Sequence, residues 1–193
     1  MNILFEKDGI VFIDNDVQQS FTAEIKKIYE LVEEQFGPID KTYITTINFN
    51  SAGRIVTEVF EEPKLIRINL PIYEMSDSCE DTKYQRNLNL SHELIHTITP
   101  CSDSNKATFL DEGLATVFSE RYTGCDSNPP EKYIKARSLV QELFNQDDQT
   151  IKKVHTKYPQ IKISDYTIEM IKDVSPSIDI HLLQKLTKRF NEE

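Results

Sequence analysis

Ser91-His92-Glu93-Leu94-Ile95-His96 is a helix-compatible run in which two histidines stand four residues apart. Residues so spaced lie one above the other on an α-helix, so both imidazoles project from one face and can share one metal ion. Glu93 sits one step round the helix, where its carboxylate can reach a water on that metal and not the metal itself. Leu88, Leu94, Ile95 and Ile98 supply core positions, and the helix is expected from Tyr84 to Thr99, closed by Pro100.

Downstream the pattern stays helical. Helices are expected over Lys106 to Tyr122, ended by Gly124, over Pro130 to Phe144, and in shorter stretches around Ile151–Val154, Tyr166–Ile171 and Ile180–Phe190. Upstream the chain reads as strands around one helix. Ile3–Phe5 and Ile10–Ile13 flank the turn signal Lys7-Asp8-Gly9 and suggest a hairpin. Apolar residues recurring at spacings of three and four from Val17 to Phe36, stopped by Gly37-Pro38, mark an amphipathic helix. Thr42 to Phe49, a turn at Ser51-Ala52-Gly53, Arg54 to Phe60, and the alternating run Leu65 to Leu70 continue the sheet. Pro71 lacks a backbone donor and suits an edge strand or a strand end. Met75 to Thr82 reads as an acidic loop.

The expectation is a single α+β domain over residues 1–193: a small, mostly antiparallel sheet with one helix in residues 1–75, then a helical half in 84–193. The formal charge of −10 argues against a nucleic-acid partner, which needs a basic patch. No apolar run is long enough to cross a bilayer, and the first residues lack the pattern of a secretory signal, so a cytoplasmic location is expected. Cys79, Cys101 and Cys125, odd in number and without a C-x-x-C pair, read as free thiols.

Two histidines do not complete a hydrolytic zinc site, which takes three protein ligands and leaves a position for water. Phe109-Leu110-Asp111-Glu112-Gly113-Leu114-Ala115 lies on the next expected helix, and antiparallel helix pairs bring such positions face to face. Glu112 is therefore the expected third ligand. Asp111, Thr116 and Glu120 are near enough in sequence to support the ligands.

These segments resemble the gluzincins, zinc metallopeptidases with H-E-x-x-H on one helix and a ligating Glu on the following one. Leu110–Ala115 is similar to the L-N-E-G-F-A segment of the aminopeptidase N-like branch, with Asp111 in place of Asn; the fifteen residues between His96 and Glu112 are somewhat fewer than in that branch. Tyr133-Ile134-Lys135-Ala136 is similar to the Y-x-K-G segment whose Tyr hydrogen-bonds the oxyanion, with Ala136 where the family has Gly. The resemblance spans roughly Leu65 to Leu143 and implies a zincin-like fold. It implies one Zn2+ on His92, His96 and Glu112, Glu93 as catalytic base and Tyr133 as oxyanion donor. Rivals for that last role are His155, Tyr166 and His181. No G-x-M-E-N-like amine anchor precedes the helix, which points to an endopeptidase acting on a peptide or protein laid along the strand Leu65–Leu70. The alternative is a regulator or sensor of the same fold that binds a protein partner with little or conditional proteolysis, motivated by the small size of the chain.

Overall fold

Phe21, Ile25, Ile28, Val32 and Phe36 make one apolar stripe, and the segment folds as helix α1 (Asn15–Phe36) with all five side chains buried. The structure is a computed structural model and describes residues 3–7, 9–11, 15–75, 80–101, 103–124 and 127–192. Cys79, Cys125 and part of the acidic loop lie outside them, as do residues 12–13 of the second expected strand. The helix stops at Gly37, whose φ of 102° lies where side chains are disfavoured and whose N–H donates to the Glu33 carbonyl at 3.0 Å.

Strand β1 (Ile3–Lys7) turns tightly at Gly9, φ 79°, and pairs antiparallel with β2 (Ile10–Val11), the expected hairpin. The chain then crosses over through α1 and returns as β3 (Ile44–Asn50), parallel to β1. β4 (Val56–Phe60) and β5 (Leu65–Pro71) pair antiparallel, but β5 takes the place beside β3 and runs parallel to it. The order is β2-β1-β3-β5-β4. The sheet is thus mixed, with both central pairings parallel, and the expectation of a mostly antiparallel sheet is corrected. A helix inserted between two strands returns the chain in its original direction. Alternation of apolar and polar residues reports only that one face is buried.

A second correction matters for the site. Ser51-Ala52-Gly53 turns the chain, yet β3 and β4 do not pair across it, and Leu65–Leu70 is interior, bonded on both sides. The strand richer in large aliphatic residues is drawn inside, and the more polar β4, with its partly exposed Val56 to Val59, is left as the edge.

Register places Phe5, Ile47, Phe49, Ile66, Ile68 and Leu70 on one face, together with Thr57 and Val59 of β4. That face is covered by α1, whose Phe21 meets Phe5 and Phe49 edge to face at 6.1 and 5.0 Å, and by α2 (Glu80–Ile95). The opposite face carries Thr46, Asn48, Arg67, Asn69 and Glu58. Its amides bond one another, with Asn48 Nδ2 donating to Asn69 Oδ1 at 2.8 Å and Asn69 Nδ2 to Glu58 Oε2 at 2.9 Å.

Beyond the sheet come α3 (Phe109–Thr123), α4 (Glu131–Gln146), α5 (Thr150–Lys157), α6 (Ile168–Val174) and α7 (Ile180–Leu186), with single 3-10 turns at Ile163–Asp165 and Phe190–Glu192. The α+β order of a small sheet followed by helices is as expected. No helix among the described residues is long and apolar enough to cross a membrane.

Candidate metal centre

Leu90 and Leu94 are fully buried and anchor one face of α2 in the core, so the opposite face, about half a turn away, carries His92 outward. The helix ends at Ile95, and His96 is the first residue of the turn that follows, where Thr97 and Ile98 N–H groups bond the carbonyls of Leu94 and Ile95 at 3.1 Å. The two imidazoles stay neighbours, with ring centroids 5.3 Å apart. The first turn of α3 faces them. That turn is fixed by a capping box: Asp111 N–H bonds Thr108 Oγ1 at 3.3 Å, while the Asp111 carboxylate accepts from Thr108 N–H at 2.9 Å.

This sets Glu112 against the imidazoles. Its carboxylate oxygens lie 3.5 Å from His92 Nε2 and 3.8 Å from His96 Nε2, and one ligand atom from each of the three residues falls within 4.8 Å of the others. Ligand atoms around a tetrahedral zinc, with bonds of about 2.0–2.1 Å, sit roughly 3.3 Å apart, so small side-chain adjustments close the set on one ion. Glu112 Oε2 is buried and has no hydrogen-bond donor among the described residues. The His92 imidazole approaches that oxygen only to 3.5 Å, which offsets little of a burial cost of about 1–3 kcal/mol, and a cation held between it and the two imidazoles offsets it better. The residues present therefore fit a divalent metal.

The electrostatics agree. Burial works against charge on His92, but its contact with Glu112 and the charge of Glu93 outweigh burial and raise its pKa. Burial likewise opposes charge on Glu112, yet His96 and His92 together hold its carboxyl below the ordinary value.

Glu93 is only 6% exposed, and its backbone carbonyl accepts a hydrogen bond from Thr57 Oγ1 on β4 at 3.2 Å. That bond ties the edge strand to the helix at the residue next to His92. Ile55, Val56, Thr57 and Val59 line the cleft over the triad, together with Thr99, Cys101, Ile163 and Ser164. Cys101 is a free thiol, as expected.

Tyr133 reaches the same cleft from α4, its ring centroid 6.1 Å from that of His92. Burial, then the charges of Glu112 and Glu93, push its phenol up to about 12, so it remains a donor at neutral pH. The placement depends on Gly113: a Cβ there would lie 2.5 Å from the Ala136 carbonyl oxygen and 2.6 Å from Val140 Cγ2. The missing side chain at 113 lets α4 approach α3 closely enough for Tyr133 to overhang the triad.

The rivals of Tyr133 are elsewhere. His155 is buried between the Pro38 carbonyl, 2.8 Å from Nε2, and the Tyr166 hydroxyl, 3.2 Å from Nδ1. His181 is exposed and contacts Gln184 on α7. Of the supporting candidates, Asp111 serves the cap, and Thr116 Oγ1 bonds back to the Glu112 carbonyl at 2.8 Å. Glu120 pairs with Arg137 and Ser127, two turns beyond the site. Sequence reasoning missed Thr57 and Phe190, whose ring lies 4.9 Å from that of Tyr133; both arrive from distant parts of the chain with no local pattern to mark them.

No protein-family model, curated protein or solved structure matches the chain.

Proposed function

We propose that this protein is a zinc-dependent metallopeptidase, an endopeptidase with a zincin-like arrangement. The observation that carries the reading is the convergence of His92 at the end of α2, His96 in the turn after it and Glu112 in the first turn of α3, with Glu93 and Tyr133 lining the same cleft. His92, His96 and Glu112 would hold the metal. When bound, zinc supplies a Lewis acid that acidifies water and polarises a carbonyl.

The chain's own groups divide the remaining work. Glu93 takes the proton of the attacking water and passes it to the leaving amine. The Tyr133 hydroxyl donates to the carbonyl oxygen as negative charge develops there. The substrate backbone lies along the outer edge of β4, which among the described residues pairs only with β5, so its N–H and C=O groups are open to an added strand. Thr57 and Val59 line the same cleft as Glu93.

The test is metal content and turnover measured together on wild type, Glu112→Ala and Glu93→Gln. Expected are about one zinc per wild-type chain, a sharp loss of zinc in Glu112→Ala, and full zinc with peptide cleavage down at least about 1000-fold in Glu93→Gln. Undiminished cleavage in Glu93→Gln would overturn the mechanism. A zinc-loaded wild type that captures a protein partner and leaves it uncut would favour the regulatory alternative.

A further inference from the structure

Tyr133 is held in an unusual way for a residue that must aim a hydroxyl. Its hydroxyl makes no hydrogen bond among the described residues, so its direction rests on how the ring is packed. One ring neighbour is His92, at 6.1 Å; the other is Phe190, which meets it edge to face at 4.9 Å and 62°. Phe190 is 6% exposed and is itself braced edge to face on Phe109 at 5.2 Å, in the first turn of the helix that carries Glu112.

The backbone around Phe190 is as constrained as its ring. Phe109 N–H donates to the Lys188 carbonyl at 3.1 Å and Phe190 N–H to the Ala107 carbonyl at 2.8 Å, an antiparallel bridge centred on Thr108 and Arg189. The Arg189 guanidinium donates to the Lys106 carbonyl and, at 3.0 Å, to the carbonyl of Ser164, which also lines the cleft. Residues 188–190 therefore clasp the start of α3, the Ile163–Asp165 turn and the Tyr133 ring at once. Nothing in the two motifs requires this segment, which lies more than fifty residues beyond Tyr133.

We propose that Phe190 is a positioning residue for Tyr133, and that residues 188–190 form a clasp holding the phenol over the His92, His96 and Glu112 cluster. The proposal rests on the peptidase reading for its catalytic consequence, since Phe190 acts there only through Tyr133. A donor displaced by about 1 Å loses up to about 100-fold in rate, while deleting an oxyanion donor outright costs about 100- to 1000-fold. Phe190→Ala should therefore lower kcat by roughly 10- to 100-fold and leave KM within about twofold.

Two measurements on the full chain decide the matter. The first needs no substrate: in protein with isotope-labelled aromatic rings, the cross-relaxation peak between the Tyr133 and His92 rings should be present in wild type and in Phe190→Tyr, and lost in Phe190→Ala. If Phe190→Ala does not fold, Phe190→Leu, which keeps bulk but no ring, is read in the same way. The second is a double-mutant cycle on a cleaved peptide, in which Phe190→Ala lowers kcat in the wild-type background but adds no loss to Tyr133→Phe. An intact Tyr133–His92 peak in a folded variant, or an equal kcat loss in both backgrounds, overturns the proposal. If the wild type cleaves nothing, the peptidase reading falls and the ring-to-ring peak still decides the clasp.

Discussion

Gly113→Ala adds a single methyl group at the closest approach of α3 and α4. Its Cβ would lie 2.5 Å from the Ala136 carbonyl oxygen and 2.6 Å from Val140 Cγ2, about 0.9 Å inside ordinary contact at 3.4 Å. The valine methyl can turn aside, but the Ala136 oxygen is main chain and can move only with α4. Overpacking of this kind costs about 1–3 kcal/mol. Alanine in the middle of a helix returns at most about 1 kcal/mol relative to glycine. Both contacts fall below 3.0 Å and one is main chain, which puts the overpacking at about 2–3 kcal/mol and the net loss at about 1–2 kcal/mol. For a chain of this size each kcal/mol lowers the melting temperature by about 2–4 °C, so a fall of roughly 2–8 °C is expected in thermal unfolding followed by circular dichroism. The measurement belongs in excess chelator, so that stabilisation by a bound cation does not mask the packing effect. Adding Val140→Ala should recover only part of the loss, because the backbone clash remains. A melting temperature at or above that of wild type would refute the close helix approach, and with it the reason given for the position of Tyr133.

Two further perturbations probe the frame around the site. Thr108→Ala removes the side chain of the capping box before α3 and should cost about 0.5–2 kcal/mol in urea unfolding; an unchanged midpoint would show that the cap contributes nothing to the turn holding Glu112. Glu74 is fully buried beside Asn89, whose amide donates to it at 2.6 Å, and near Arg86; burial, only partly countered by both, pushes its carboxyl from 4.5 to about 7. The native state thus holds this proton more tightly than the unfolded chain, a contribution complete below about 4.5 and lost as pH rises through about 7. Glu74→Gln should therefore stabilise the protein relative to wild type at pH 8, on the order of 1–3 kcal/mol, and much less at pH 5.5. A stability difference independent of pH across that range would contradict a buried, titrating Glu74.

The helices and the residues that meet at the candidate site were legible in the sequence because both depend on short-range spacing. His92 and His96 stand one helical turn apart, Glu93 follows from the same helix, and Phe21 to Phe36 spell one buried stripe; each is a property of a single element, set by 3.6 residues per turn. Glu112 and Tyr133 were also readable, since each sits in a recognisable local segment. The sheet was readable only in part. Alternation in Leu65–Leu70 identified a strand with one buried face, but the same alternation suits an edge or an interior strand, so it was the competition between β4 and β5 for the place beside β3 that put Val56–Phe60 over the cleft. The contacts that aim the site belong wholly to the tertiary structure: Thr57 on the Glu93 carbonyl, Gly113 against Ala136, and Phe190 on Tyr133 join residues 36, 23 and 57 positions apart. Spacing along one helix carries no information about such pairs, because which distant surfaces meet is decided by the packing of the whole core and not by the period of any element within it.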